Sequence, residues 1–292
     1  MKKFKKLISF AMTVICALSL LCVFTPQEQV QAVTQTRNVT LVKGEGINWE
    51  NYSYNVTSCS SSKKSVATVK KNPDNSKGVI ITCKGTGSAT VKIKLKGGHL
   101  QKINVKVVGA KFTVKTISES ENYVFFSVKN STKVFFDRLA VQYTLKNAEG
   151  EIVKQDMETV YRSTPGSTAY FSVWKGSDNN VDISQCTAKV IPLESRHDLN
   201  YTYTDQTKKI KVTDELVDSD LKIKWKNNSS EYISGVADVV FYDADGNVVN
   251  VENSLKSMDA KAIDTATVYI SNYLEYDHYK IFVRAYSEKY KK

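Results

Sequence analysis

The chain has 292 residues, with 41 Lys and Arg against 30 Asp and Glu, for a formal charge of +11 at neutral pH. Hydrophobic residues make up 41% and charged residues 24%, values of a folded soluble protein that exclude a disordered or collagen-like chain. Gly 13 and Pro 4 are too few for a low-complexity linker protein.

The N-terminus reads first. Met1-Lys2-Lys3-Phe4-Lys5-Lys6 is a basic head, Leu7 to Phe24 is apolar, and Thr25-Pro26 ends that run. Val30-Gln31-Ala32 then places small residues where a signal peptidase requires them, so residues 1–32 are expected to be a secretory signal cleaved between Ala32 and Val33. An uncleaved N-terminal anchor is the alternative, because the apolar run is at the lower limit for spanning a bilayer. Lipid attachment is disfavoured, since Leu21 and Ile15 precede Cys22 and Cys16 where a small residue is needed. Loss of residues 1–32 removes four lysines and Glu28 and leaves +8 over 260 residues. That balance favours loose association with polyanions such as teichoic acids or anionic polysaccharide, and solubility alone is the simpler explanation of it. No second long apolar segment follows, so no transmembrane span is expected after cleavage. The C-terminal stretch Tyr286 to Lys292 carries no LPxTG-type pattern and no apolar tail, so covalent wall anchoring is not expected.

From residue 33 the chain reads as strand after strand. Val91 to Leu95 and Ile103 to Val107 alternate apolar and polar residues, the pattern of a sheet with one face buried and one in water. Short strands separated by Gly, Asn and Ser predict an all-β protein of tandem antiparallel sandwiches. The first unit, 33–109, centres on Lys64-Ser-Val-Ala-Thr-Val-Lys70, Gly85-Thr-Gly-Ser-Ala-Thr-Val91 and Ile103-Asn-Val-Lys-Val-Val108. In that order these segments resemble the bacterial Ig-like domain, group 2, over about a quarter of the chain. Cys59 stands near where that family often has Trp, and Cys83 near its usual Gly. The two departures fall together, and a Cys59–Cys83 disulfide is therefore entertained beside free thiols. Three cysteines survive signal removal, so at least one thiol, with Cys186 the third candidate, stays free or pairs between molecules.

Beyond residue 110 the chain repeats at an offset near 96, which suits a domain duplication. Ala140 to Val153 lines up with Val236 to Val249, placing Val141, Tyr143 and Leu145 against Ala237, Val239 and Phe241. Val128 to Ser131 matches Trp225 to Ser229, Thr168 to Val173 matches Thr265 to Ile270, and Ala188 and Val190 match Ile281 and Val283. The segment Val239-Val-Phe-Tyr-Asp-Ala-Asp-Gly246 resembles the strand and hairpin of the FxLYD-type domain, a small β-sandwich of exported bacterial proteins. The first copy retains only Leu145-Lys-Asn-Ala-Glu-Gly150. The resemblance implies two such copies, 110–196 and 208–292, joined by a polar linker at 197–207. It implies a fold and a location but no activity.

Candidate chemistry is sparse. Asp243-Ala-Asp-Gly-Asn247 resembles the opening of a calcium loop, yet position 12 would be Ser254, and a Gly-containing hairpin explains the same residues. His99, His197 and His278 lie far apart, and no nucleophile elbow, zinc-protease or phosphate-loop motif accompanies them. Paired carboxylates of a hydrolase could still converge from distant strands. No cofactor and no catalytic residue is expected. Trp49, Tyr52 and Tyr54, and likewise Tyr269, Tyr273, Tyr276 and Tyr279, are candidate sugar-stacking patches, although most aromatics, Trp225 among them, are expected in cores. Scattered lysines without an Arg-rich cluster argue against nucleic acid. The expected protein is a secreted, non-catalytic module contacting a cell-wall polymer, polysaccharide or surface protein in an adhesion or spacer role. A carbohydrate-binding accessory protein is the alternative.

Overall fold

The computed structural model describes residues 34–50, 53–176, 180–195, 201–218 and 220–290, so the signal reading and its Ala32–Val33 junction lie outside the described residues. The fold is all-β, as the alternation predicts. The first unit contains β1 (Thr34–Val42), β2 (Gly46–Glu50), β3 (Val56–Ser61), β4 (Ala67–Lys71), β5 (Gly78–Cys83), β6 (Gly87–Leu95) and β7 (Leu100–Val108). A second unit contains β8 (Phe112–Glu119), β9 (Tyr123–Asn130), β10 (Phe136–Lys146), β11 (Ile152–Ser163), β12 (Thr168–Trp174) and β13 (Thr187–Val190). The third contains β14 (Tyr201–Asp205), β15 (Ile210–Val217), β16 (Asp220–Asn227), β17 (Ile233–Tyr242), β18 (Val248–Met258), β19 (Ile263–Tyr269) and β20 (His278–Tyr290). Among the described residues no helix is long and apolar enough to cross a membrane.

In the first unit a four-stranded sheet, β1-β7-β6-β3, faces a three-stranded sheet, β2-β5-β4. Strand β1 runs parallel to β7, while the other pairs are antiparallel. Alternate residues turn inward, so Leu41, Ile81, Ile93 and Ile103 are fully buried between the sheets. The Gly85–Gly87 turn has two separate requirements. Gly87 takes a left-handed φ of +132°, and a Cβ at Gly85 would lie 2.7 Å from the Ser65 carbonyl oxygen. Cys59 and Cys83 stand as free thiols in this structure, one of the two states entertained for them. Cys83 closes β5 opposite Ala67 in one sheet, and Cys59 lies on β3 opposite Ile93 of β6 in the other.

The second and third units are one topology written twice. Sheet β12-β9-β8 matches β19-β16-β15, and β11-β10-β13 matches β18-β17-β20. Val141, Tyr143 and Leu145 point into the second core, and Ala237, Val239 and Phe241 point into the third, as the alignment expects. Val190 pairs with Val141 as Val283 pairs with Ala237. The bulge after Leu145 recurs after Phe241. One alignment shifts: Phe171 opposes Phe126 as Ala266 opposes Ile223, so Thr168–Trp174 is displaced two residues from its sequence match. A two-residue slip keeps the inward face inward, which is why sequence pattern alone could not detect it.

A buried corner is also duplicated. Asn130 donates from Nδ2 to the Val134 carbonyl (3.0 Å), and its Oδ1 accepts from the Thr132 amide (3.1 Å) and hydroxyl (2.7 Å). Asn227 repeats this with the Glu231 carbonyl (2.9 Å), the Ser229 amide (2.9 Å) and the Ser229 hydroxyl (2.7 Å). Each corner supplies side-chain partners to backbone groups that leave the ladder between two strands.

The expected linker contains a strand. Tyr201–Asp205 is β14, paired antiparallel with β20 at the sheet edge. Its Tyr-Thr alternation is a strand pattern on a polar background. Tyr203 packs on Tyr286 (5.2 Å) and on Phe135 of the second unit (6.0 Å).

The duplicated units stack sheet on sheet. The outer face of β12-β9-β8 supplies Phe125 and Tyr170, and the outer face of β17, β18 and β20 supplies Val240, Val251, Tyr242 and Phe282. Inside this contact Arg284 (3% exposed) and Asp238 (0%) form a two-pronged ion pair, one prong being Nη2 to Oδ1 at 3.0 Å. Asp238 also accepts from the Tyr170 amide (2.8 Å) and Asn253 (2.9 Å), while Arg284 donates to the Thr168 carbonyl (3.2 Å). Charges this deeply buried persist only when they are paired with one another. At the other end, Val42 and Val108 pack on the second core, and Gly44 and Gly46 abut Pro192 and Leu193.

Candidate functional site

The aromatic patches proposed from the sequence divide. Trp49 is 5% exposed in the first core, Tyr52 lies outside the described residues, and Tyr54 packs at a tilt against His99 with ring centroids 4.3 Å apart. In the third unit Tyr276 and Tyr279 pack against Phe241 (5.1 and 5.8 Å), leaving Tyr269 (76% exposed) and Tyr273 (96%) at the surface. Trp225 is fully buried, as expected, and Trp174 is half-exposed with the Lys154 ammonium 5.4 Å from its ring. Among the described residues, the first-unit candidates Trp49 and Tyr54 do not assemble a stacking platform.

The other candidates serve the fold. Asp243 uses its carboxylate to accept from the Asn247 amide (2.7 Å) and side chain (3.0 Å) across a turn in which Gly246 has φ +84°. Asn147 and Glu151 make the corresponding contacts in the first copy (2.8 and 3.0 Å). A carboxylate committed to two N–H donors holds a hairpin. His278 pairs with Asp277 (2.9 Å) and stacks on Tyr242 (5.0 Å), far along the chain from His99, and His197 lies outside the described residues. Burial pushes the Cys83 thiol up to about 12 and also raises those of Cys59 and Cys186. Thiols held protonated are poor nucleophiles. Among the described residues no cluster of three His, Cys, Asp or Glu could hold a metal ion.

Charge is where the molecule is uneven. Residues 34–109 carry 13 Lys and Arg against three acids, Glu45, Glu50 and Asp74, whereas residues 110–292 carry 24 against 26. Burial raises the Glu45 carboxyl to about 8, so one of those three acids is largely neutral at pH 7. The chain is therefore a strongly basic first unit joined to a nearly neutral pair.

Strand register then gathers part of this charge on one surface. Lys92 on β6 stands directly opposite Lys102 on β7, Lys106 opposite Ser88, and Lys94 lies two residues along from Lys92. All four share the outer face of β1-β7-β6-β3, with Asn38 and Thr40 on β1 and Ser58 and Ser60 on β3. Lys92, Lys94 and Lys106 are exposed and Lys102 is half-buried. Beside them runs an open groove of about 420 Å³, with Asn38, Thr40, Ser88, Thr90, Asn104 and Lys106 along its walls. Asn104 donates to Asn38 (2.9 Å) and accepts from the Thr90 hydroxyl (3.0 Å). Reading the lysines as scattered missed this face. The uneven charge was countable from the sequence, but the pairing of β6 with β7 was not.

Comparison with known proteins adds little. No family model and no curated protein matches the chain. Among solved structures, it is similar at 10% identity to trypsin-activated alpha-2-macroglobulin from Escherichia coli, over 86% of this chain and 23% of that one, with a TM-score of 0.19. Native Escherichia coli alpha-2-macroglobulin spanning domains MG0-NIE-MG1 matches at 10% identity over 85% and 86%, with a TM-score of 0.16. The chain thus spans under a quarter of the longer macroglobulin, and scores this low carry no argument about function.

Proposed function

We propose that this is an exported, non-catalytic modular protein that contacts an anionic polymer at the cell surface through its first unit. The observation that carries this reading is the partition of charge, 13 basic against three acidic residues in 34–109 and near-balance after it. A secretory signal over residues 1–32, a group 2 Ig-like first unit and two FxLYD-like copies belong to the same proposal. In this reading the first unit is the attachment module. The stacked pair, locked by Asp238 and Arg284, is a stiff arm that holds a distance or presents its loops to a surface protein.

Co-sedimentation of residues 33–292 with purified cell walls over a salt series tests it, with walls stripped of teichoic acid in parallel. Charge-driven attachment fades as added salt shortens the screening length from roughly 10 Å at 0.1 M, and it is lost with stripping. Absence of binding at low salt overturns the reading. The exposure of Tyr269 and Tyr273 favours a second reading, carbohydrate binding by ring stacking. Salt-resistant binding that falls in Tyr269→Ala and Tyr273→Ala variants would select it.

A further inference from the structure

The outer face of the four-stranded sheet in the first unit has an electrostatic arrangement that sheet stability does not explain. Like charges directly opposite on antiparallel strands are destabilising, yet Lys92 faces Lys102, and Lys94 is diagonal to the pair. Among the described residues no carboxylate pairs with any of Lys92, Lys94, Lys102 or Lys106. The same face carries Asn38, Thr40, Ser60, Ser88, Thr90 and Asn104 between and beside the lysines. It presents neither an acid nor an aromatic ring. Three of its polar side chains are already joined, Thr90 to Asn104 to Asn38, so the floor of the groove is ordered before any ligand arrives.

These features define what would fit. Residues two apart on one face are separated by about 7 Å along a strand, and neighbouring strands by about 5 Å. The ammonium groups therefore form a broad, shallow array, suited to a chain with repeated negative charges and poorly suited to one small anion. Hydroxyl and amide side chains between the charges match a ligand with its own hydroxyls. Without an aromatic ring the face has nothing on which a nucleobase could stack, and stacking supplies much of the affinity of single-stranded nucleic acid. We propose that this face binds one extended, hydroxyl-rich polyanion, a polyol-phosphate or polyuronate chain, with Lys92, Lys94, Lys102 and Lys106 on its anionic groups and Asn38, Thr90 and Asn104 on its hydroxyls. This rests on the attachment reading above and adds the face and the ligand chemistry to it.

The test uses residues 33–292 with two fourfold variants of equal net charge. One replaces Lys92, Lys94, Lys102 and Lys106 by Gln, and the other replaces Lys64, Lys70, Lys71 and Lys84, which lie off that face, by Gln. Binding to polyglycerol phosphate, to polygalacturonate and to single-stranded DNA is titrated from 50 to 300 mM salt, with thermal melts to verify folding. The face variant is expected to lose at least ten-fold in affinity at low salt. Its slope of log K against log salt should flatten by about 3, near 0.7 per lost contact, while the control variant keeps most of both. The stronger of the polyglycerol phosphate and polygalacturonate arms identifies the source of the ligand. Equal losses in the two variants overturn the face while leaving the attachment reading intact. Wild-type affinity for DNA equal to that for the hydroxylated polymers overturns the ligand chemistry. Failure of the wild type to bind any of the three overturns the attachment reading and this proposal together.

Discussion

Glu45 is the sharpest test of the packing between the first two units. The residue is fully buried, its Oε2 accepts from the Val42 amide at 2.9 Å, and its glycine neighbours Gly44 and Gly46 lie against Pro192 and Leu193. Burial is the largest influence on its carboxyl and raises it from 4.5 to about 8, partly opposed by the Val42 hydrogen bond. The unfolded chain releases this proton near pH 4.5 while the folded chain keeps it to about pH 8. Between those values the folded state binds one more proton. The contribution of Glu45 to stability is therefore fully present below pH 4.5 and falls by about 1.4 kcal/mol per pH unit as pH rises. Over the whole window this amounts to roughly 5 kcal/mol. Glu45→Gln keeps an acceptor for the Val42 amide and cannot ionise. Urea unfolding of the wild type and the variant at half-unit steps from pH 4 to pH 9 measures the difference. The variant should gain on the wild type steadily from pH 4.5 to 8 and hold a constant lead above. A difference that stays flat across that window would show that the carboxylate ionises without cost, and the account of this buried joint would be wrong.

Other outcomes follow from the stacked pair and its repeats. Asp238→Ala leaves the Arg284 guanidinium buried without its counter-ion and should cost about 3–5 kcal/mol, whereas the double variant Asp238→Leu with Arg284→Met should come within about 1 kcal/mol of wild type or exceed it. A double-mutant cycle by chemical unfolding measures the coupling, and independent, small effects would show the pair to be solvated. Asn130→Ala and Asn227→Ala each strip a buried corner of its hydrogen bonds and should each cost on the order of 2–4 kcal/mol. Hydrogen exchange should localise the two losses to their own units. In Gly235→Ala the new methyl would lie 3.1 Å from Trp225 Cζ3, so a loss of about 1–3 kcal/mol and a shift in Trp emission are expected. Tyr273→Ala, at a side chain that is 96% exposed, should leave the melting temperature unchanged.

Much of this architecture could be read along the chain because side-chain alternation is a local property. Period-two patterns marked the strands, and the repeated acid-Gly hairpin marked the duplication, since an Asx side chain and a glycine with positive φ are what such a turn needs wherever it occurs. The inward set Val141, Tyr143, Leu145 and its copy Ala237, Val239, Phe241 was visible for the same reason. The two-residue displacement of Thr168–Trp174 preserves alternation and left no trace, and a Tyr-Thr strand at 201–205 passed for a linker because its inward residues are only half-apolar.

What the sequence determined alone was the all-β character, the duplication and, had it been counted, the concentration of positive charge before residue 110. Tertiary structure decided which outer faces are covered and which are free. Phe125 and Tyr170 look like ordinary strand residues until sheet packing brings Val240, Val251 and Phe282 onto them. Asp238 and Arg284 are 46 residues apart and would pass for surface charges, yet the fold removes both from water and joins them. Lys92 and Lys102 share a face only because β6 pairs with β7 in one register out of several. Alternation tells each side chain whether it faces in or out. Only the pairing of strands and the packing of sheets determine what it meets there.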